Sequence, residues 1–330
     1  MAENAPVLVG DIGGTNARFA LARPGPDGKP ALLEVRRYKS ADFPSFIDAV
    51  RRYLEETAAQ GAGLRRAVFA VATAVLGDTV RLTNSPWVVS APEARAAFGL
   101  EEVRLVNDFQ SIGRAVALMD MAQFDSIGPQ PPEAWRPDMT LAVLGPGTGL
   151  GVCLMQLRAG RPVVLPSEAG HMAFAPANER EVEVLRHLQR RFGRVSNERL
   201  ISGPGLVALH EALCAIAGQT PPGLPPEAIT EAAAAAPDGL EAQAVQLFCE
   251  IYGSVAGDLV LAFGAWDGVC LAGNLTSVLL PTLRVSRFRQ RFEDKGRFAP
   301  AMRSVPTLVL TRRLVGLLGT AAFALDGRNG

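Results

Sequence analysis

The 330-residue sequence predicts an α/β fold made of two lobes. Three observations support this prediction. Apolar runs typical of buried strands alternate with segments of helical periodicity, as in layered sheet domains. A strand, a glycine-rich turn and an alternating strand occur near the start and again at 141–154. The composition is 48% hydrophobic over 330 residues, which is ample for two cores and too long for one ordinary core.

The first strand–turn–strand unit lies at Val7–Leu21. Gly10, Gly13 and Gly14 crowd its turn, and residues without a Cβ allow backbone N–H groups to approach a phosphate closely. Asp11 adds a carboxylate that could serve a phosphate-bound Mg²⁺, directly or through water. The Lys of a P-loop and the helix of a dinucleotide fingerprint are both missing from the pattern. A tight hairpin without a ligand is the alternative.

The second unit, Leu141–Leu154, repeats the pattern with its glycines at 145–151. Two copies of one hairpin favour two related lobes that share a nucleotide over two unrelated turns. The other elements follow from periodicity and from glycine or proline punctuation. Strands are predicted at 67–71, 103–106, 269–273 and 307–310, a hairpin return at 78–83, and helices at 45–59, 92–98, 111–119, 179–192, 205–217, 228–236, 241–263 and 316–325.

Asp108 is the candidate catalytic base. It lies between the predicted strand at 103–106 and the predicted helix at 111–119, a common position for ligand-binding residues in α/β sheets. The helix N-terminus favours its charged form, and a carboxylate there can accept a hydroxyl proton during phosphoryl transfer. The alternative is an ordinary helix N-cap.

Glu168 and His171 stand three residues apart in a loop that contains glycine. A carboxylate and an imidazole held together suit two adjacent sugar hydroxyls, which both donate and accept. The alternative is a solvated Glu and a packed His. A zinc site is disfavoured because His187 and His210, the other histidines, lie on predicted helices as surface or structural residues. Glu198, taken alone, is interpreted as a solvated helix charge.

Composition restricts the partners and the compartment. The net charge of +0 gives no support for nucleic acid or for an acidic surface as partner. The first residues lack the basic and apolar regions of a signal peptide, and we expect no membrane span and a cytoplasmic location. We also expect a homodimer. The four cysteines show no Cys-x-x-Cys spacing and are interpreted as buried free thiols.

The chain resembles the hexokinase-like bacterial glucokinases, within the actin, hexokinase and Hsp70 ATPase superfamily. The resemblance is carried by Asp11–Arg18, by Val106–Phe109, by Pro166–His171 and by Val195–Gly203. In Pro166–His171, Ser167 and Ala169 stand where the family has glycines. The Cys-rich zinc motif of the related ROK proteins has no counterpart in this sequence.

The resemblance implies the two-lobed actin-like ATPase fold with an inter-lobe cleft. The smaller lobe would be 1–118 plus 309–330, and the larger lobe 119–308. The implied activity is phosphorylation of D-glucose at its 6-hydroxyl by ATP with Mg²⁺. By this resemblance Asp108 would be the base, and Asp11 would hold Mg²⁺, directly or through water. The residues that would bind glucose are Asn107, Asp108, Glu168, His171 and Glu198. The residues that would bind the nucleotide are Gly10, Asp11, Ile12, Gly13, Gly14, Thr15, Gly147, Thr148, Gly149 and Gly273.

One departure from the family pattern concerns the nucleotide site. Asn274 stands where the family has glycine, and its side chain is expected to crowd the nucleoside. Asn tolerates left-handed backbone angles, so we expect the turn to survive. Two rival functions are a sugar sensor on the same fold without turnover and an ATPase acting on a protein. Sugar-binding repressors carry an N-terminal helix-turn-helix, for which we expect no room because the first predicted strand begins at Val7. The compact set of candidate sugar ligands argues against an ATPase that acts on a protein.

Overall fold

The computed structural model describes residues 5–59, 63–82, 85–312 and 314–326. They pack as two compact units. The first contains the described residues of Met1–Met119, Pro162–Pro166 and Arg312–Gly330, and the second those of Asp120–Arg161 and Ser167–Thr311. The strands are β1 (Val7–Ile12), β2 (Asn16–Pro24), β3 (Pro30–Lys39), β4 (Arg66–Val71), β5 (Thr79–Arg81), β6 (Val88–Ser90), β7 (Glu102–Asn107), β8 (Asp125–Ile127), β9 (Met139–Pro146), β10 (Leu150–Arg158), β11 (Arg161–Ser167), β12 (Gly268–Leu271) and β13 (Thr307–Val309).

Several helices begin where the sequence supplies a cap or a proline. Ser45, Asn178 and Ser202 each accept a backbone N–H from the first turn of the helix that follows, which satisfies a donor left over at the helix start. The helices are α1 (Phe46–Glu56), α2 (Ala91–Phe98), α3 (Asp108–Val116), α4 (Glu179–Phe192), α5 (Gly203–Ile216), α6 (Pro226–Ala235), α7 (Leu240–Phe263), α8 (Asn274–Val285), α9 (Phe288–Glu293), α10 (Ala299–Met302) and α11 (Val315–Asp326).

The first sheet has the strand order β3-β2-β1-β4-β7 and a core on each face. Successive residues of a strand point to opposite faces. Leu8 and Ile12 of β1 therefore join the core that includes α1, while Val7 and Val9 pack with Leu317 of α11. β1 pairs with β2 antiparallel and with β4 parallel, so the predicted hairpin is confirmed and β1 lies at the centre of the sheet.

The second sheet has the order β11-β10-β9-β12-β13-β8. β9 pairs antiparallel with β10 and parallel with β12, which confirms the second predicted hairpin. β9 is buried along its whole length, as expected for a strand with neighbours on both sides and helices on its faces. The core of this unit joins β9 and β12 to α5 and α7.

Helix α7 is the central helix of the second unit. Within the described residues it alone is long and apolar enough to cross a bilayer, and 72% of its most apolar window is buried, as in the core helix of a folded domain. Gly253 and Gly257 lie against α9, where an added Cβ would stand 2.1 Å from the Phe288 carbonyl oxygen and 2.4 Å from that of Phe292. The close approach of the two helices therefore requires glycine at both positions.

Four strands were not predicted from the sequence: β3, β8, β11 and β6, which pairs with β5 in a two-stranded sheet. Each lies at the edge of its sheet. α3 begins at Asp108, three residues earlier than predicted, and α5 begins at Gly203 instead of Gly205. These starts were missed because the first turn of a helix is capped by polar residues and glycine, which carry no apolar periodicity.

Candidate active site

The first glycine turn joins β1 to β2 in the first unit. The Gly13 N–H donates to the Asn16 carbonyl oxygen at 2.9 Å and closes the turn. Ser40 supports it from outside: its N–H donates to the Thr15 carbonyl oxygen at 2.9 Å, and its hydroxyl donates to the Gly13 carbonyl oxygen at 3.3 Å. The buried Ser40 thus fixes two peptide groups of a turn whose own residues, including Gly14 and the exposed Thr15, are accessible. The sequence patterns did not single out Ser40.

Two residues predicted for nucleotide binding belong to the core. Gly10 is buried within β1, and an added Cβ would lie 2.8 Å from the Phe69 ring, so packing alone requires glycine there. Ile12 is fully buried, and its carbonyl oxygen accepts the Ala72 N–H at 3.1 Å. The side chain of Ile12 is therefore turned away from any ligand of the turn.

Asp11 is partly buried beside this turn. Its Oδ2 accepts a hydrogen bond from the Arg18 guanidinium at 3.0 Å, and a Cβ at Gly316, in the first turn of α11, would lie 3.4 Å from its carboxylate. Burial raises the pKa of the Asp11 carboxyl, and the charge and hydrogen bond of Arg18 act in the opposite direction. A carboxylate oxygen at the edge of a phosphate-type turn fits the ligand preference of Mg²⁺.

The second glycine turn, Gly147–Gly149, joins β9 to β10 in the second unit. The Gly147 N–H donates to the Gly149 carbonyl oxygen at 2.8 Å, and Gly147 and Thr148 are exposed at the tip. The Gly147 carbonyl oxygen accepts the Gly203 N–H at 2.8 Å, which ties the turn to the start of α5. A Cβ at Gly147 would meet nothing within 4 Å, so the tip offers open space to a ligand.

Gly273 follows β12 and lies against the end of β9. Its φ of +92° suits glycine, and an added Cβ would stand 2.7 Å from the Pro146 carbonyl oxygen. Asn274 is the first residue of α8, is exposed and does not have a positive φ. Our explanation that Asn274 is tolerated through a left-handed conformation is wrong, because Gly273 takes the unusual backbone angle and Asn274 is helical.

Asn107 and Asp108 lie at the junction of β7 and α3 in the first unit. The Asn107 Oδ1 accepts the Gln110 N–H at 3.0 Å, and its amide nitrogen donates to the Thr73 carbonyl oxygen at 3.2 Å. Asp108 is half-buried, and its Oδ1 accepts the Phe109 N–H at 2.8 Å. Asn107 thus acts as the N-cap, and its side-chain angles are fixed by two hydrogen bonds.

The predicted sugar ligands of the second unit lie together. The His171 Nε2 is 3.8 Å from Glu168 Oε2, and its Nδ1 is 3.9 Å from Glu198 Oε1. An imidazole placed between two carboxylates presents both donors and acceptors, which is the capacity that vicinal hydroxyls need. The Arg194 guanidinium donates to the His171 carbonyl oxygen at 2.7 Å and holds the loop in place.

Glu198 is not the solvated helix charge that its local sequence indicated. It lies in a short 3₁₀ turn, Asn197–Arg199, and its Oε2 accepts the Leu150 N–H at 2.9 Å. The side chain of Glu198 is 28% exposed, against 55% for Glu168 and 57% for His171. The bond to Leu150 joins residues 48 positions apart, which local periodicity cannot reveal.

His210 and the cysteines, whose side chains are common metal ligands, lie buried in the structure. Among the described residues, no group of three or more His, Cys, Asp or Glu side chains could hold a metal ion. His210 is buried, and its Nε2 lies 3.2 Å from the Glu241 carboxylate, which joins α5 to α7. All four cysteines are buried and none forms a disulfide, as predicted: Cys153, Cys214, Cys249 and Cys270.

The comparisons with known proteins agree with one another. The model of the glucokinase family matches residues 8–327. The glucokinase of Stenotrophomonas maltophilia (strain K279a) is 47% identical over 330 residues, which cover 98% of this chain and 96% of that protein. A glucokinase crystal structure from an Antarctic psychrotroph is similar with a TM-score of 0.82 and 33% identity, covering 98% of this chain and 99% of the other. The glucokinase of Balamuthia mandrillaris, solved in complex with glucose, is similar with a TM-score of 0.79 and 21% identity. This match covers 98% of this chain and 94% of the other.

These matches confirm the predicted fold class, the α/β fold of the actin-like ATPases. They also extend over both units, because the family model reaches from residue 8 in β1 to residue 327, one residue past the last of α11. This chain is therefore a member of the glucokinase family.

Proposed function

We propose that this chain transfers the γ-phosphoryl group of ATP to the 6-hydroxyl of D-glucose, giving glucose 6-phosphate and ADP. The observation that carries the proposal is the group formed by Glu168, His171 and Glu198 beside the second glycine turn. Two carboxylates flanking an imidazole match sugar hydroxyls, and an exposed glycine turn matches phosphates. Membership of the glucokinase family supports one reaction that uses both the sugar-binding group and the phosphate-binding turn.

Asp108 is the proposed general base. The Asp108 carboxylate, at the start of α3, accepts the proton of the 6-hydroxyl of glucose. The oxygen of that hydroxyl attacks the γ-phosphorus in line, and ADP leaves. Asn107 is proposed to bind the sugar as well, because an amide with two of its sites already bonded still has one donor and one acceptor site. The fixed position of Asn107 would then orient the sugar relative to Asp108.

The nucleotide is proposed to bind along Gly13, Gly14 and Thr15 and along Gly147–Gly149, with Gly273 near the nucleoside. The glycines of these turns keep Cβ atoms out of the way of a phosphate that approaches the backbone. Asp11 is the residue proposed to hold Mg²⁺, directly or through water, and the ion would neutralise charge on the transferring phosphoryl group. Gly10 and Ile12 would support the first turn from the core.

A coupled assay with a panel of hexoses and of phosphoryl donors tests this function. We expect turnover with glucose and ATP, dependence on Mg²⁺, and little turnover with ADP or polyphosphate as donor. Glucose binding by calorimetry without any ATP-dependent turnover would contradict the proposal and favour a sugar sensor. ATP hydrolysis that is independent of every sugar would favour an ATPase acting on another substrate.

We further propose that the enzyme is a cytoplasmic homodimer that takes glucose and MgATP and has no nucleic-acid or membrane partner. The net charge of +0 supports the absence of a polyanionic partner. Light scattering coupled to size exclusion would measure the mass directly. A mass near the 35.0 kDa of one chain would contradict the dimer without affecting the proposed reaction.

A further inference from the structure

The Glu198 carboxylate contacts two different parts of the second unit. Its Oε1 faces the His171 Nδ1 at 3.9 Å, on the side of the proposed sugar ligands. Its Oε2 accepts the Leu150 N–H at 2.9 Å, at the first residue after the second glycine turn. Glu168, the other carboxylate beside His171, is twice as exposed as Glu198. One carboxylate thus joins the two halves of the proposed reaction site in this unit.

The packing around this bond is close on both sides of the turn. A Cβ at Gly149 would lie 2.4 Å from Glu198 Oε2, so glycine is needed there for the carboxylate to reach Leu150. A Cβ at Gly170, next to His171, would lie 2.2 Å from the Leu150 carbonyl oxygen. The Leu150 backbone is therefore in contact with Glu198 at its N–H and with the His171 loop at its carbonyl.

The segment that carries Glu198 is itself anchored to the turn. The Ser202 hydroxyl donates to the Glu198 carbonyl oxygen at 2.8 Å and accepts the Gly205 N–H at 3.0 Å as the cap of α5. The neighbouring Gly203 N–H donates to the Gly147 carbonyl oxygen at 2.8 Å. Residues 198–203 thus contact the turn at both of its ends, and a shift of Glu198 would be transmitted to the turn.

We propose that Glu198 is a positioning residue for the second glycine turn, in addition to its role as a sugar ligand, which rests on the proposed function. A sugar hydroxyl that donates to Oε1 fixes the carboxylate, and Oε2 then fixes the Leu150 peptide and the turn before it. Glucose and nucleotide binding are thereby coupled through one side chain. Such coupling is reciprocal, so a change in the turn alters sugar affinity by the same route.

Nucleotide binding without sugar tests the positioning role. The dissociation constant of AMPPNP with Mg²⁺ is measured by calorimetry for wild type, Glu198→Ala, Glu198→Gln and Glu168→Ala. We expect Glu198→Ala to weaken binding about threefold to tenfold, the range of an ordinary net hydrogen-bond contribution. Glu198→Gln should recover part of it, because its amide oxygen still accepts from Leu150. Glu168→Ala, which has no such bond to the turn, should resemble wild type, and equal constants for Glu198→Ala and Glu168→Ala would overturn the proposal.

Sugar binding without nucleotide tests the reverse direction with a matched pair of turn variants. Gly149→Ala places a methyl group 2.4 Å from Glu198 Oε2, whereas Gly147→Ala places one in open space. We expect Gly149→Ala to weaken glucose binding severalfold and Gly147→Ala to leave it near the wild-type value. Equal glucose dissociation constants for Gly149→Ala and Gly147→Ala would contradict the coupling.

Hydrogen exchange at the Leu150 amide separates this proposal from the proposed function. It needs no ligand, and thermal melting verifies that each variant is folded. We expect the amide to exchange faster in Glu198→Ala than in Glu168→Ala. If wild type binds no glucose, the proposed function fails while the exchange and AMPPNP comparisons still decide the positioning role. Equal exchange in both folded variants would show that Glu198 does not hold the turn.

Discussion

Asn107, and not Asp108, caps helix α3: the Asn107 Oδ1 accepts the Gln110 N–H at 3.0 Å, and Asp108 is the first helical residue. The sequence left two roles open for Asp108, a helix cap or a catalytic base. A neighbour fills the capping role, so the structure does not need the Asp108 carboxylate for that purpose. The two adjacent side chains should therefore respond differently to substitution.

Asp108→Asn should lower kcat by about 10²–10⁴ and leave the glucose dissociation constant within about tenfold. The amide keeps the shape of the carboxylate but cannot accept the hydroxyl proton. The other proposed sugar ligands remain, so binding should fall far less than turnover. Calorimetry gives the binding constant, and a coupled assay gives kcat.

Asn107→Ala is the control for Asp108→Asn. It removes the cap and should lower the free energy of unfolding by about 0.5–2 kcal/mol, whereas Asp108→Asn should leave stability nearly unchanged. Chemical denaturation measures both. If Asp108→Asn kept near-normal kcat, Asp108 would not be the base.

Glucose should be strongly preferred over 2-deoxyglucose and over its epimers. A site whose polar groups are arranged for hydroxyls leaves those groups unpaired when a hydroxyl is missing, which can cost up to about 10⁴–10⁵ in kcat/KM. The close arrangement of His171 with Glu168 and Glu198 is of this kind. Comparable kcat/KM values for glucose, mannose and fructose would argue against a glucose-specific site.

Asn274→Gly should lower the KM for ATP and leave the KM for glucose nearly unchanged. The exposed Asn274 side chain stands at the start of α8, directly after Gly273, which we propose lies near the nucleoside. Its removal adds space there, while the backbone needs no change because Asn274 is already helical. Steady-state kinetics with each substrate varied provides the measurement, and a raised KM for ATP would indicate that the amide helps nucleotide binding.

Glu181→Ala should destabilise the protein by about 3–5 kcal/mol, since it leaves a buried arginine unpaired. The Glu181 Oε1 accepts from the Arg291 guanidinium at 2.8 Å, and its Oε2 accepts the Ala177 N–H at 2.8 Å. Arg52→Ala, which breaks the exposed pair with Glu56, should cost less than about 1 kcal/mol. Urea denaturation compares the two, and equal losses would show that burial of the pair is unimportant.

The thiols of the native protein should not react with Ellman's reagent at pH 8. Burial raises the pKa of Cys249 to about 12 and raises the pKa of Cys214 and Cys270 as well. A raised pKa keeps a thiol protonated at this pH, and the thiolate is the reactive form. All four thiols should titrate once the protein is denatured, and fast reaction of the native enzyme would indicate local opening.

The sequence predicted the central strands and missed several edge strands, for a physical reason. β1, β4, β9 and β12 are flanked on both sides, so they appear in the sequence as apolar runs. β3 has only one neighbouring strand and carries charged residues such as Arg36 and Arg37. β11, also at an edge, contains Pro162 and Pro166, which an unpaired side tolerates. β3 and β11 therefore lack the apolar pattern from which strands are predicted, whereas β7, at the other edge of the first sheet, has this pattern at Val103–Val106 and was predicted.

The predicted site residues were found by local pattern or by family resemblance, and the contacts that hold them were not. The glycine turns and the strand–helix junction at Asp108 are visible within a few residues of sequence. Ser40, which supports the first turn, acts on Gly13 from 27 positions away. The bond from Leu150 to Glu198 spans 48 positions. Such contacts depend on tertiary packing, which no local period encodes.

The first unit is assembled from both ends of the chain, and this has a consequence for synthesis. Val7 and Val9 of β1 share a core cluster with Leu317 and Ala321 of α11, which leave the ribosome some three hundred residues later. The second unit, Asp120–Arg161 and Ser167–Thr311, is complete before α11 emerges. The α11 part of the cover over this face of β1 is therefore synthesised only after every residue of the second unit.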